Sequence, residues 1–235
     1  MLSDERIAPM LELQKNTVKA ENQLPENEYV RFERSEASGL KVLFLGNSIT
    51  RHGVNEDLGW LHDHGMAASA KEKDYVHILM KQIDERHPNA SFCICQCAEW
   101  ERNYKDGRST YHLFESARNF SADIIIVRLI ENCSYRELDP KTFKESLLHF
   151  LTYLNASGKA KLVMTTGFWK HPGDAVLREI AAKNAYPLAE LGDLGEMPEM
   201  KAIGLFAHTG VANHPGDLGM EMIAKRILEK LSLWL

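Results

Sequence analysis

The sequence predicts an α/β fold: a three-layer α/β/α sandwich built on a parallel sheet of about five strands. Three observations carry this reading. Short apolar runs recur from residue 41 onward, they are apolar almost throughout rather than alternating, and segments of helical periodicity separate them. Near-continuous hydrophobicity is what a strand buried on both faces requires. Strand-then-helix repetition with right-handed crossovers then places helices on both sides of the sheet, a flavodoxin-like arrangement.

The runs are 41–45 (KVLFL), 91–97 (SFCICQC), 123–129 (DIIIVRL), 161–166 (KLVMTT) and a weaker fifth at 186–191 (YPLAEL). Helical patterns lie between and after them at 74–86, 110–119, 140–154, 174–184 and 215–233. Residues 41–235 therefore read as one domain. Residues 1–40 read as an N-terminal extension packed on it: a helix over 4–20, with Ile7, Met10, Leu11 and Leu13 as a weak apolar stripe, then a polar stretch containing Pro25.

Composition excludes several classes. With 44% hydrophobic and 26% charged residues among 235, the chain is an ordinary globular protein. A net charge of −5 without a long basic run gives no nucleic-acid footprint. No apolar run approaches the roughly 18 residues of a membrane span. The first residues are mixed polar and charged, without an apolar signal-peptide core, so a cytoplasmic location is expected. No cofactor motif is evident, and the oligomeric state is left open. Cys93, Cys95 and Cys97 alternate and share one face of a strand. With Cys133 they read first as small buried hydrophobes, ahead of a metal site or disulfides.

In a sheet of this kind ligands bind beyond the C-terminal ends of the strands, so the chemistry is sought there. The first strand ends in Gly46-Asn47-Ser48-Ile49-Thr50. Gly46 permits a sharp turn, and Ser48 stands where the chain leaves the sheet. Ser48 is either a nucleophile, with nearby backbone N–H groups to stabilise an oxyanion, or a helix N-cap. No G-K-[ST] follows, so a phosphate loop is excluded. A serine nucleophile needs a base. Among ten histidines, His214 lies just before the last helix, ahead of Pro215. His171 is its rival, because His171-Pro172-Gly173-Asp174 repeats the types of His214-Pro215-Gly216-Asp217 after the fourth strand. Asn132 follows the third strand, as an oxyanion donor or a turn former.

Ser48, Asn132 and His214, in that order and at those strand ends, resemble the SGNH (GDSL-type) hydrolase family over residues 41–235. The resemblance implies a serine hydrolase of ester bonds. Its first block, the nucleophile turn, is here G-N-S-I-T; its third carries the oxyanion asparagine, Asn132; its last carries the base in a D-x-x-H-P pattern, here His214-Pro215. It also ranks His214 above His171. Two departures stand out. Val211 occupies the acid position. That leaves a Ser–His dyad held by a backbone carbonyl, an acid supplied by Asp217 or Asp193, or a weak catalyst. The second block, 96–103 (QCAEWERN), lacks the family's glycine, so the second oxyanion N–H is assigned to Trp100 or Glu101 beside that of Ser48. The W-E-R run at 100–102, G-F-W at 167–169 and Gly219 are similar to a subgroup common among polysaccharide-degrading enzymes, which points to acylated sugars.

The loop 51–73 is long for its place and contains Trp60, His62, Asp63 and His64. His62-Asp63-His64 lacks a third ligand, so no metal is expected. Asn47, Trp60, Trp100 and Trp169 are the expected substrate-contacting residues, the tryptophans as platforms for sugar rings or as plain packing. Glu101 and Glu131 read as ion-pair partners of Arg102 and Arg128 rather than as groups that bind sugar hydroxyls. An acetyl esterase acting on a small-molecule or glycan ester is the leading function. The alternatives are a non-catalytic glycan-binding module and a thioesterase or lipase-like acyl hydrolase. Activity is expected to fall with pH through the ordinary histidine range, between about 8 and 5.

Overall fold

A computed structural model describes residues 24–33 and 39–235. The helix expected over 4–20 lies outside the described residues. Six strands form one sheet: β1 Val30–Glu33, β2 Lys41–Gly46, β3 Ser91–Gln96, β4 Ile124–Val127, β5 Lys161–Thr165 and β6 Leu188–Ala189. Their spatial order is β1-β3-β2-β4-β5-β6, with β2 to β6 parallel and β1 antiparallel to β3. The five parallel strands are those read from the sequence. The sixth, β1, comes from the segment read as a polar extension, and pairs Val30 with Cys95 and Phe32 with Cys93.

The helices are α1 Tyr75–Asp84, α2 Ala98–Arg102, α3 Glu115–Phe120, α4 Pro140–Leu154, α5 Asp174–Asn184, α6 Thr209–Ala212 and α7 Asp217–Leu231. Asp139 caps α4 by accepting from the Lys141 and Thr142 N–H groups, with Pro140 in the first turn, where its missing N–H costs nothing. The segment expected to be one helix over 110–119 is a 3-10 stretch, Tyr104–Phe114, running into the short α3, with the backbone kinked at Asp106.

Alternate residues of each strand feed two cores. Leu43, Leu45, Cys93, Cys95, Ile125 and Val127 meet the apolar faces of α3, α4 and α5. Val42, Phe44, Phe92, Ile94, Ile124 and Ile126 meet those of α1 and α7. This is the three-layer sandwich. All four cysteines are free and buried. The strand order reverses at β2, between β3 and β4, and the crevice beyond that point is where such sheets bind ligands. Ser48 follows β2, Glu101 follows β3 and Asn132 follows β4, so the candidate residues converge on this crevice.

Candidate active site

The turn after β2 is tight. The Asn47 carbonyl accepts from the Thr50 and Arg51 N–H groups at 2.8 and 2.9 Å, and the Ser48 carbonyl accepts from Met66 N–H at 2.8 Å. Gly46 is needed here because a Cβ on it would lie 1.7 Å from Thr50 Oγ1. The chain makes a single turn instead of entering a helix, so Ser48 caps nothing. Its Oγ lies 2.8 Å from His214 Nε2.

His214 is held from behind. Its Nδ1 is 2.7 Å from the Gly210 carbonyl oxygen. A carbonyl only accepts, so Nδ1 carries the hydrogen and Nε2 presents a lone pair to the Ser48 hydroxyl. The neighbouring carboxylates do not serve as the acid. Asp217 binds Ser69 and Lys73, and Asp193 binds Arg226. Val211 is buried with Trp60, Met66, Ala67 and Ala202. The rival His171 is tied elsewhere, to the Cys133 carbonyl and the Gly173 N–H.

Burial lowers the His214 pKa from its ordinary 6.5 to about 4, against the opposing pull of the Gly210 carbonyl. Arg128 and His52 push in the same direction as burial. A carbonyl orients an imidazole but does not neutralise an imidazolium as a carboxylate would. The expectation of an acid limb between pH 8 and 5 set by this histidine is therefore corrected downward.

Beneath the dyad lies a buried polar network that joins three strand ends. Asn47 Nδ2 donates to Glu101 at 3.1 and 3.2 Å and to Glu131 Oε2 at 2.7 Å, while Arg128 donates to Asn47 Oδ1. Arg128 also pairs with Glu131, which accepts from Phe168 N–H at 3.0 Å. Asn132 Nδ2 donates to Glu101 Oε2 at 2.7 Å. Burial and the neighbouring Glu131 push the Glu101 carboxyl up to about 7. Although burial alone would raise it, Glu131 is held low, chiefly by the Arg128 charge. The ion pair Arg128–Glu131 is one the sequence suggested. Arg102 instead faces Glu99, at 3.6 Å.

Several expected roles change. Glu101 N–H is donated to the Cys97 carbonyl at 3.0 Å inside α2, so it is not a free oxyanion donor. The Glu101 side chain, not its backbone, belongs to the site. Asn47 is wholly buried and all its polar contacts are internal, so it supports the Ser48 turn instead of touching substrate. Trp60 is fully buried, with Nε1 donating to the His52 carbonyl at 3.0 Å and the ring against Phe206. It pins the 51–73 loop. Trp100 is fully buried too, stacked on Phe150 with centroids 4.8 Å apart and planes at 10°. Trp169 alone of the three is half-buried at the site, its ring edge-on to His214 at 5.3 Å. Among the described residues no cluster of three or more histidine, cysteine, aspartate or glutamate side chains is arranged to hold a metal.

The packing of Trp100 has a measurable consequence. Trp100→Ala is expected to lower the unfolding free energy by about 3–5 kcal/mol, because an aromatic stack in a closed core leaves a cavity. Urea denaturation reads this directly. A variant of unchanged stability whose KM for an ester rises would restore the platform role.

No family model and no curated protein matches the chain in sequence. Solved structures share its fold. A psychrotrophic esterase from Pseudoalteromonas sp., in a structure inhibited by monoethylphosphonate, aligns with 83% of this chain and 97% of its own, at 12% identity and a TM-score of 0.53. A two-domain esterase active on acetylated mannans aligns over 83% of this chain but 48% of its own, at 16% identity and 0.53. A family two carbohydrate esterase from Cellvibrio japonicus aligns over 83% and 61%, at 15% identity and 0.51. The chain thus spans about half of the two-domain protein and most of the first. What it shares with these esterases is the fold.

Proposed function

We propose that the chain is a serine esterase that hydrolyses short acyl esters, acetyl esters of carbohydrates first among them, through a Ser48–His214 dyad. The observation that carries this is the 2.8 Å contact from Ser48 Oγ to His214 Nε2, with Nδ1 fixed on the Gly210 carbonyl. In the reaction, Ser48 Oγ attacks the acyl carbonyl and its proton passes to His214 Nε2. The oxyanion is held by the Ser48 N–H and the Asn132 amide. His214 returns the proton to the leaving alkoxide, which departs as the alcohol. Water, deprotonated by His214, then attacks the acyl-enzyme; the proton returns to Ser48 Oγ and the acid is released.

A carbohydrate alcohol is supported by the fold shared with the acetylated-mannan esterase and the carbohydrate esterase. A specific feature favours a second reading with a longer acyl chain. The loops beside the dyad meet through Trp60 and Phe206, and they carry Val54, Leu61, Ile203 and Leu205 exposed. The deciding experiment pairs two measurements: hydrolysis of p-nitrophenyl acetate, butyrate and octanoate and of acetylated mannan oligosaccharides, and labelling by an ethyl phosphonate with the adduct mapped. Acetate preference, release of acetate from the oligosaccharides and a Ser48 adduct are expected. Octanoate preference supports the second reading. Binding of oligosaccharide with no turnover and no adduct would leave a glycan-binding module.

A further inference from the structure

We propose that Glu101 is a positioning residue for this reaction: its buried carboxylate holds the Asn132 carboxamide and the Asn47 side chain behind Ser48, so that the second Asn132 N–H faces the acyl oxygen. This rests on the esterase reading and adds a residue to it.

The argument begins with the contact set of Glu101. The side chain is fully buried. Its oxygens accept from Asn132 Nδ2 at 2.7 Å, from Asn47 Nδ2 at 3.1 and 3.2 Å and from the Ile130 N–H. Every one of these partners is a donor, which is the environment of a carboxylate and not of a carboxylic acid. A carboxamide whose NH2 rests on a carboxylate cannot flip, because the flip would set its Oδ1 against a carboxylate oxygen. One Asn132 N–H is thereby consumed and the direction of the other is fixed. An oxyanion donor is worth most when it is oriented before the charge develops. Asn132 is half-buried and follows β4, the strand paired with β2, whose end carries Ser48, and its second N–H is the one assigned to the oxyanion formed there.

The network also explains why Glu101 is the sensitive member. Glu131 has Arg128 as its counter-ion, whereas Glu101 has only neutral donors. The groups facing it are Asn47 from the β2 turn, Cys97 from the end of β3, and Ile130, Glu131, Asn132 and Cys133 from the β4 turn, with Arg128 below. Burial and Glu131 push its carboxyl up to about 7. Protonation would put an O–H among donors and release Asn132.

Glu101→Gln, Asn132→Ala and the double variant test this with p-nitrophenyl acetate. Glu101→Gln is expected to lower kcat about 10- to 100-fold with KM within about twofold, the mark of an interaction made in the transition state. Adding Asn132→Ala should cost nothing further, since both act through one amide. Losses that multiply, or a change confined to KM, would overturn the assignment. If Glu101→Gln fails to fold by circular dichroism, the folded proteins carry the test. Wild-type kcat should step down as pH falls through about 7, and Asn132→Ala should lack that step. A step that survives in Asn132→Ala, or no step in wild type, overturns it. Wild type that neither turns over nor takes a phosphonate on Ser48 sinks the esterase reading itself, and this inference with it. An active, labelled wild type with additive losses sinks this inference alone.

Discussion

Ser48→Ala and His214→Ala are each expected to lower kcat/KM for an acetyl ester by about a thousandfold or more, and the double variant to be no worse than either. In the proposed reaction the serine contributes the bond-forming oxygen, and among the described residues the histidine is the base within hydrogen-bond reach of it, at 2.8 Å. Removing one leaves the other with nothing to do, so their losses do not add. The residual rate comes from the oxyanion donors acting on attack by water. Neither substitution should disturb the fold. Ser48 makes its side-chain contact with His214, and His214 with Ser48 and the Gly210 carbonyl, all at a half-buried surface. Single-turnover release of p-nitrophenol checks this. A Ser48→Ala variant within tenfold of wild type would remove Ser48 from the reaction. A His214→Ala variant that still forms the acyl-enzyme at the wild-type rate would point to another base.

The sheet was legible because each parallel strand is a near-unbroken apolar run, and burial on both faces permits little else. β1 was hidden for the same reason in reverse: Val30-Arg31-Phe32-Glu33 is an edge strand with only Val30 fully buried, so its sequence carries no strong pattern. Ser48, Asn132 and His214 could be singled out as candidates because strand ends are few, and the structure brings Ser48 and His214 within 2.8 Å of each other. The aromatic platforms failed on a general point. Position at a strand end says that a side chain is near the crevice, not that it points into it. Trp100 sits one helical step past β3 yet turns inward onto Phe150. Of the supporting network the Arg128–Glu131 pair was read and the links through Asn47, Glu101 and Asn132 were not, although one residue signalled them. Arg128 ends the run DIIIVR, and an arginine at the end of a strand buried on both faces requires buried partners. Those partners had to come from neighbouring strand ends, which hold Asn47, Glu101 and Glu131. Val211 at the usual acid position already pointed to a backbone carbonyl behind His214, but which carbonyl, that of Gly210, needed the structure.

The orientation by a carbonyl has its largest consequence in acid. With His214 lowered to about 4, kcat/KM should persist well below the ordinary histidine range and then fall about tenfold per pH unit beneath pH 4, as the imidazole takes the proton it must accept from Ser48. That limb acts on the rate left after the earlier step near neutrality, where protonation of Glu101 should cost about what Glu101→Gln costs. Asn132→Ala separates the two, because it should erase the upper step and leave the lower limb in place. Stability bears on the experiment through the same group. His214 has a folded pKa below its unfolded value of 6.5, so the unfolded chain protonates first as pH falls and the native state loses stability between 6.5 and about 4. Rates must therefore be read within the time the protein stays folded, with tryptophan fluorescence followed in the same samples. A single steep limb centred near 6.5, equal in wild type and Asn132→Ala, would mean that His214 has an acidic partner in solution, and the dyad would have to be redrawn as a triad. A limb near 4 would mean instead that the low basicity of an imidazole held only by a carbonyl is the working state of this site. It would give up driving force for taking the serine proton in exchange for remaining unprotonated in mild acid.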